Sequence, residues 1–332
     1  MTGVIEHQLE LLGIEEAKRW ADLNGHSKAA RTRIHNRIDT THDLLTALPT
    51  SDDLTFNHSG LCQTFLPHSR LLSNQTVWRR ESGRFTLMVS PGVLARSHGR
   101  QRAEGGDYVG VPYGAKARLI MFHLQTEGLK SRTVSLGKNL SAFLRSLGLP
   151  RTGGARGSIM QVREQCMRIA RCTFTLQWTH VDTNGGERTI VTDTKIVEGL
   201  ELWNAASDDW SATVELGEKF HSHLMEHAVP LDKRGIALLS GNSLGLDLYA
   251  LFAYRLPKLK ANLHFSWGKL QEQIGSEYAE SSQIARRVRE VMPEVKRAYP
   301  HANVEIGRWG LVMKPSKPSV PKDMVQGFRL VK

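Results

Sequence analysis

The chain contains little cysteine: Cys62, Cys166 and Cys172 are the only three in 332 residues. The count is odd and there is no CxxC pair, which argues against a disulfide scaffold or a zinc finger and suits a reducing compartment. No apolar run approaches the roughly 18 residues of a membrane helix, so no membrane partner is expected. The opening MTGVIEHQLELL carries Glu6 and Glu10 and does not read as a signal peptide, which points to a cytoplasmic setting. There is no Gly-rich phosphate loop of the form GxxxxGK followed by Ser or Thr, which excludes a P-loop ATPase. No Asp/Glu cluster has metal-binding spacing, so polymerase or primase chemistry has no support. The expectation is a binding protein rather than an enzyme, with no cofactor and no metal.

What the chain has is positive charge. Its net charge is +11. Residues 1–55 hold 6 basic and 9 acidic side chains, residues 56–205 hold 20 and 10, and residues 206–332 hold 18 and 14. The surplus therefore lies mainly in the middle of the chain. Between residues 130 and 171 stand Lys130, Arg132, Lys138, Arg145, Arg151, Arg156, Arg163, Arg168 and Arg171, opposed only by Glu164. Solubility does not require such a cluster, whereas phosphate binding does, because each contact neutralises a phosphate and releases counterions.

Hydrophobic spacing supplies the architecture. Residues 4–23 read as helical with an interruption at Gly13, and 24–60 as a polar linker with a short helix near 33–48. Residues 84–90 alternate as a strand ended by Pro91-Gly92, and 92–107 form a Gly- and Arg-rich loop. Helices are expected at 115–124, at 140–147 (stopped by Gly148 and Pro150) and along Ile159, Val162, Cys166 and Ile169. Two alternating runs follow, 173–180 and 188–197, around Asp182-Thr-Asn-Gly-Gly, a hairpin signal. Three helices and a hairpin are the order of a winged helix. The order returns with helices at 214–227, 232–239, 244–254, 267–274 and 281–298, the last kinked or divided at Pro293. A hairpin around Gly307-Arg308 then leads into a Pro-rich tail. The expected fold class is α+β: two tandem winged-helix domains, 56–205 and 206–316, with an N-terminal helical arm (1–55) and a flexible tail (317–332).

In this scheme the helix beginning near Arg156 enters the DNA major groove. With its apolar stripe inward, Arg156, Gln161, Arg163, Gln165, Arg168 and Arg171 lie on other faces. Arg suits guanine and Gln suits adenine in the groove. Gly153, Gly154 and Gly157 would let the backbone approach a phosphate at the helix N-terminus. Lys138, Arg145 and Arg151 extend the basic surface. In the second module Gln283, Arg286, Arg287, Arg289 and Lys296 take the equivalent part, and Arg188 and Arg308 mark the wing tips. The partner is therefore expected to be double-stranded DNA. His221-Ser-His223 with His227, and Tyr249 or Tyr254 as nucleophile, form the rival pattern of a rolling-circle nickase. That motif expects a hydrophobic residue between the histidines, on a strand; here Ser222 stands in a helical pattern.

Specific residues carry a family resemblance. Gly110-Val-Pro-Tyr-Gly-Ala-Lys-Ala-Arg118, Leu124-Gln-Thr-Glu127, Leu136-Gly-Lys-Asn-Leu-Ser-Ala-Phe143, Leu147-Gly-Leu-Pro-Arg-Thr-Gly-Gly154 and Gln165 resemble the plasmid-encoded RepA replication proteins. Leu61–Pro67, Gly83–Leu87, Val229-Pro-Leu-Asp232, Leu246-Asp-Leu-Tyr249, Tyr254-Arg-Leu256 and Ser266-Trp267 fit the same family, so that the likeness runs over roughly residues 58–320. Gly128 departs from it, standing where Ala is usual. The resemblance implies binding to repeated sites (iterons) at a plasmid origin, opening of adjacent AT-rich duplex, and recruitment of the host initiator and replicative helicase. It also implies homodimers that repress their own gene. A transcriptional repressor of the same fold is the alternative; two reading heads in one chain suit an asymmetric direct repeat better.

Overall fold

The computed structural model describes residues 2–23, 27–94, 107–154, 157–181, 187–200, 213–274 and 280–325. The chain opens with a helical hairpin, α1 (Thr2–Leu23) and α2 (Lys28–Thr46). Gly13 bends α1 with φ 80°, as its sequence position suggests. The hairpin has its own small core of Ala17, Ala21 and Ile38, packed by Ile14, Trp20 and Ile34. Residues 28–46, expected as linker around a short helix, form one 19-residue helix capped by the Ser27 side chain. The polar composition had masked a narrow apolar stripe at Ile34, Ile38 and Thr41, which is enough when a neighbouring helix supplies the burial.

The chain then lays down β1 (Leu54–His58), β2 (Trp78–Ser82), β3 (Phe85–Ser90), β4 (Val93–Leu94) and β5 (Asp107–Tyr108). Next come α3 (Gly114–Gly128), β6 (Thr133–Ser135), α4 (Leu140–Ser146), α5 (Ser158–Arg171), β7 (Thr173–Val181), β8 (Glu187–Thr194), β9 (Val197–Leu200) and β10 (Thr213–Leu216). After α6 (Glu218–His227) and β11 (Ala228–Asp232), the second half contains α7 (Lys233–Leu239), α8 (Ser243–Arg255), β12 (Leu263–Ser266), α9 (Trp267–Ile274) and α10 (Ser281–Ala298). It closes with β13 (Val304–Ile306) and β14 (Gly310–Met313). The fold is mixed helix and sheet.

The two halves share one order. Helix, strand, helix, helix, strand, strand is α3-β6-α4-α5-β9-β10 in the first and α8-β12-α9-α10-β13-β14 in the second. Their sheets run β6-β10-β9 and β12-β14-β13, so in each the third strand lies between the first and second. All four pairings are antiparallel. The hairpin expected to close the first module does something else. β7 and β8 extend a separate sheet, β2-β3-β7-β8, while β9 and β10 close the module. One expectation changes with it. Residues 214–216 belong to a strand rather than to the helix that follows: Val214 and Leu216 are buried, while Thr213 and Glu215 are exposed. Four residues are too few for period 2 to show against the helical pattern beyond Gly217. The boundary expected at 205/206 also falls between two paired strands.

The halves are joined by buried polar contacts. β1 pairs with β11 antiparallel about Phe56↔Pro230. Gln125 and Thr126 on α3 grip β1: Gln125 Oε1 accepts from His58 N at 2.6 Å and Thr126 Oγ1 accepts from Phe56 N at 2.9 Å. Across the junction, Arg118 on α3 donates to both carboxylate oxygens of Asp247 on α8, each at 2.6 Å. Arg118 also donates to Leu66 O, Pro67 O and Gly114 O. A buried pair of this kind is tolerable only when its remaining donors are satisfied, as they are here. Tyr249 is buried and its hydroxyl accepts from Asp232 N at 2.8 Å. Gly128 has a reason beyond helix propensity: a Cβ there would meet Leu216 Cδ1 at 2.4 Å.

The arm docks on the second half. Arg37 pairs with Glu294 on α10, and Arg234 Nη1 donates to Asp43 O and Ala47 O, both at 3.1 Å. The start of the expected flexible tail is held as well. Tyr299 donates to Lys317 O at 2.6 Å and Val320 is buried; residues 326–332 lie outside the described residues.

Candidate nucleic-acid interface

α10 is the most strongly two-faced helix of the second half. Ile284, Ala285, Val288, Val291, Met292, Val295 and Ala298 are buried at helical spacing. The residues between them turn outward: Gln283, Arg286, Arg287, Arg289 and Lys296, the whole set expected from the sequence, are exposed. Pro293 does not divide the helix, which runs unbroken through it; it falls on the exposed face, where water can satisfy the carbonyl it leaves unpaired. The two acids of α10 are occupied. Glu290 takes Arg287 Nη1 at 2.5 Å with Arg286 Nε at 4.0 Å, and Glu294 takes Arg37 from the arm. Arg289 and Lys296 make no ion pair among the described residues.

The hairpin β13–β14 stands beside this face. Its turn is tight: Gly307 N donates to Gly310 O at 2.8 Å. Trp267 clamps it from the side. The Trp267 backbone N donates to Trp309 O at 3.1 Å and its Nε1 donates to Arg308 O at 3.0 Å. Gly310 permits the close approach of β12, since a Cβ would lie 2.1 Å from Phe265 O. Arg308, as expected, is exposed at the tip. Arg289 of α10 lies over the Trp267 ring, its Cζ 5.7 Å from the centroid, so the helix and the hairpin tip share one clamp.

The first half differs at the residues expected to read DNA. Gln165 and Arg168 are buried. Gln165 Oε1 accepts from Tyr113 N at 2.9 Å. Arg168 donates to Val111 O at 2.9 Å and to Glu164 Oε1 at 2.9 Å, with its Cζ 5.0 Å from the Tyr113 ring centroid. Both residues anchor the turn before α3 and are withdrawn from the DNA-contact set. The physical reason is register: they lie beside Val162, Cys166 and Ile169 on the buried side of α5. Gln161 and Arg163 are half-buried, while Arg171, Lys138, Arg145 and Arg151 are exposed. Arg156 lies outside the described residues. Arg188 is exposed, but on β8 of the separate sheet, not on the module's closing strands. Gly157 has a local cause. At Gly157 a Cβ would meet Gly153 O and Thr152 O at 2.3 Å, and the Thr152 hydroxyl accepts from Ser158 N at 2.8 Å. The turn closes on itself, which removes the argument that Gly157 is kept small for a phosphate.

The histidine pattern gathers around an aromatic contact, with His221 and His223 half-buried and His227 exposed. His223 stacks on Trp178 at 4.9 Å and 9°, with His58 and His227 around it. Burial, with its two histidine neighbours, lowers the pKa of His58 to about 3. No group of three or more His, Cys, Asp or Glu that could hold a metal occurs among the described residues. All three cysteines are buried and free, and burial pushes each thiol up to about 12. No helix among the described residues is long and apolar enough to cross a membrane.

Sequence reasoning missed Trp309, 76% exposed at the hairpin tip with Arg308 Cζ 4.8 Å from its ring centroid. A large aromatic beside a two-glycine turn was the available signal.

Comparison with known proteins adds a family match over part of the chain. The model of the plasmid encoded RepA protein family matches residues 111–269, from the turn before α3 to the first turn of α9. No curated protein matches. Two solved structures are similar: SeMet derivatives of domain 2 and domain 3 of RctB, and RctB domains 2-3. The first has 12% identity and TM-score 0.46, covering 79% of this chain and 98% of the other. The second has 13% identity and TM-score 0.43, covering 76% and 94%.

Proposed function

We propose that this chain, whose residues 111–269 match the plasmid encoded RepA protein family, is a plasmid replication initiator that binds double-stranded DNA at repeated origin sites. In this reading each half is a winged helix, with α5 and α10 as third helices and β9–β10 and β13–β14 as wings. The support is the repeated element order and the shared strand order of the two small sheets. The carrying observation is α10, whose outward residues Gln283, Arg286, Arg287, Arg289 and Lys296 stand beside a clamped hairpin bearing Arg308. Two heads in one chain suit a direct repeat. Origin opening, recruitment of the host initiator and helicase, autorepression by a homodimer and a cytoplasmic, non-enzymatic role complete the proposal.

Footprinting on the DNA flanking the gene tests it. Protection of regularly spaced repeats by the wild type is expected, with weaker protection by the Arg286→Ala/Arg289→Ala double variant. The double variant should flatten the salt dependence by about two units if both residues touch phosphate. Absence of any protected repeat, or metal-dependent nicking of a supercoiled origin plasmid, would overturn the reading.

A further inference from the structure

We infer that Trp309 is a base-stacking platform: it takes the π-face of a nucleobase that is out of the regular duplex stack, while Arg308 holds the adjoining phosphate. This rests on the nucleic-acid reading above and extends it to a contact that groove entry by α10 does not require.

An indole left in water forfeits burial that a folded chain normally collects, so its exposure asks for a partner. Trp309 is 76% exposed, whereas Trp78 and Trp267 are buried. Its backbone is fixed at both neighbouring positions. The Arg308 and Trp309 carbonyls are both held by Trp267, and Gly310 packs against Phe265 O with no room for a Cβ. The backbone that presents the ring is therefore held in place. A cavity of about 200 Å³ opens beside it, between the hairpin and β12, with His264 and Ser266 among its walls.

The chemistry around the ring selects the partner class. Arg308 stacks on Trp309, leaving a planar aromatic surface flanked by a cation. Lys269, exposed on α9, and Arg289, behind Trp267, add positive charge near the same end. An aromatic face with adjacent cations is the combination that binds nucleic-acid strands whose bases are splayed, since every base has a π-face and every nucleotide a phosphate. A paired, stacked base offers no such face. The base comes either from a separated strand or from a duplex step unstacked by a wedge, as at kinked minor grooves.

Two probes distinguish these sources: a (dT)30 single strand, and a duplex containing the footprinted repeat. Trp309→Ala should weaken binding to at least one of them about tenfold, within the range for loss of one stacked base. Trp309→Phe should recover most of the loss, because a smaller ring still stacks. Loss confined to (dT)30 identifies a separated strand as the source. Loss confined to the duplex, with reduced bending in gel mobility, identifies an unstacked duplex step. Trp309 is exposed, so its variants should melt with the wild type. Unchanged affinity for both probes in Trp309→Ala would overturn the inference. So would a loss that Phe does not recover while Arg308→Ala reproduces it, since charge alone would then explain the tip. A shift of oligomeric state without any change in DNA affinity would also overturn it, assigning the ring to a protein contact. The functional reading fails separately, by the Arg286→Ala/Arg289→Ala double variant binding the repeat duplex as the wild type does.

Discussion

The third helices of the two halves start from similar material and end differently. α5 brings Arg163, Arg168 and Arg171, and α10 brings Arg286, Arg287, Arg289, Lys296 and Arg297. By charge count the first half has the stronger claim on a polyanion, with 20 basic to 10 acidic side chains in residues 56–205. Yet α5 puts Gln165 and Arg168 into the interior, whereas the candidate residues of α10 all face solvent. Charge density along a chain measures how many cations are available. Only the helix register, set by which residues the core takes, decides how many face a ligand. The first half spends cations on its own architecture, with Arg118 at the junction and Arg168 at the turn before α3.

The matched family stretch sharpens this contrast. Residues 111–269 contain the first half's helices and the junction and stop before α10. The motif residues Arg118, Gln125, Thr126, Asp232, Asp247 and Tyr249 bond to one another or to β1 and β11 across the junction. Several residues of the resembling motifs therefore also hold the two halves together.

Breaking the junction should have the largest effect. Arg118→Met leaves Asp247 buried without its partner and should cost about 3–5 kcal/mol, measured by chemical denaturation. A loss below 1 kcal/mol would show that the halves do not depend on this pair. Arg168→Ala should cost roughly 2–3 kcal/mol through its lost charged hydrogen bonds, yet leave the DNA affinity of the folded protein unchanged. Weakened binding at unchanged stability would restore Arg168 to the interface and undo the contrast between the helices.

Acid should find the same junction. Burial lowers the pKa values of His58 and, with Arg118 beside it, His68 in the folded chain, while the unfolded chain holds both near 6.5. The folded state thus disfavours the proton. Its stability is full above pH 6.5 and declines as pH falls through that value toward 3, by up to about 1.4 kcal/mol per unit for each histidine. Melting temperatures should be flat above pH 7 and drop below pH 6, and His58→Gln should reduce the drop. An equally steep fall in that variant would assign the acid sensitivity elsewhere. The smallest effects separate the two faces. Arg289→Ala should reduce the salt slope of DNA binding by about one unit, and half-buried Arg163→Ala by less. The reverse ranking would make α5 the principal contact.

Much of this was legible beforehand. The Gly13 break, the helices at 140–147, 267–274 and 281–298 and the last hairpin follow from period and punctuation, because each stretch carries its own apolar pattern. The α10 set was legible for the same reason: Ile284, Val288, Val291 and Val295 mark the inner face without help from other elements. Other features were not. The closing strands β9 and β10 are four residues each and separated in sequence, so no local period shows them. β7 and β8 read as a terminal hairpin because a hairpin signal says nothing about which sheet receives it. The inward turn of Gln165 and Arg168 was invisible because both are polar and their burial depends on Tyr113, Val111 and Glu164 arriving as partners.

By itself, then, the sequence determined the inventory: a basic, cysteine-poor chain, two helix-rich halves, and an amphipathic basic helix near the end. Local spacing suffices for that, since it depends on neighbours along the chain. The tertiary structure alone decided that β1 and β11 pair, that Arg118 and Asp247 meet, that α5 turns its arginine inward, and that Trp309 stands exposed on a clamped tip. Each of these depends on contacts between residues distant in sequence, where burial and hydrogen-bond satisfaction outweigh the local pattern.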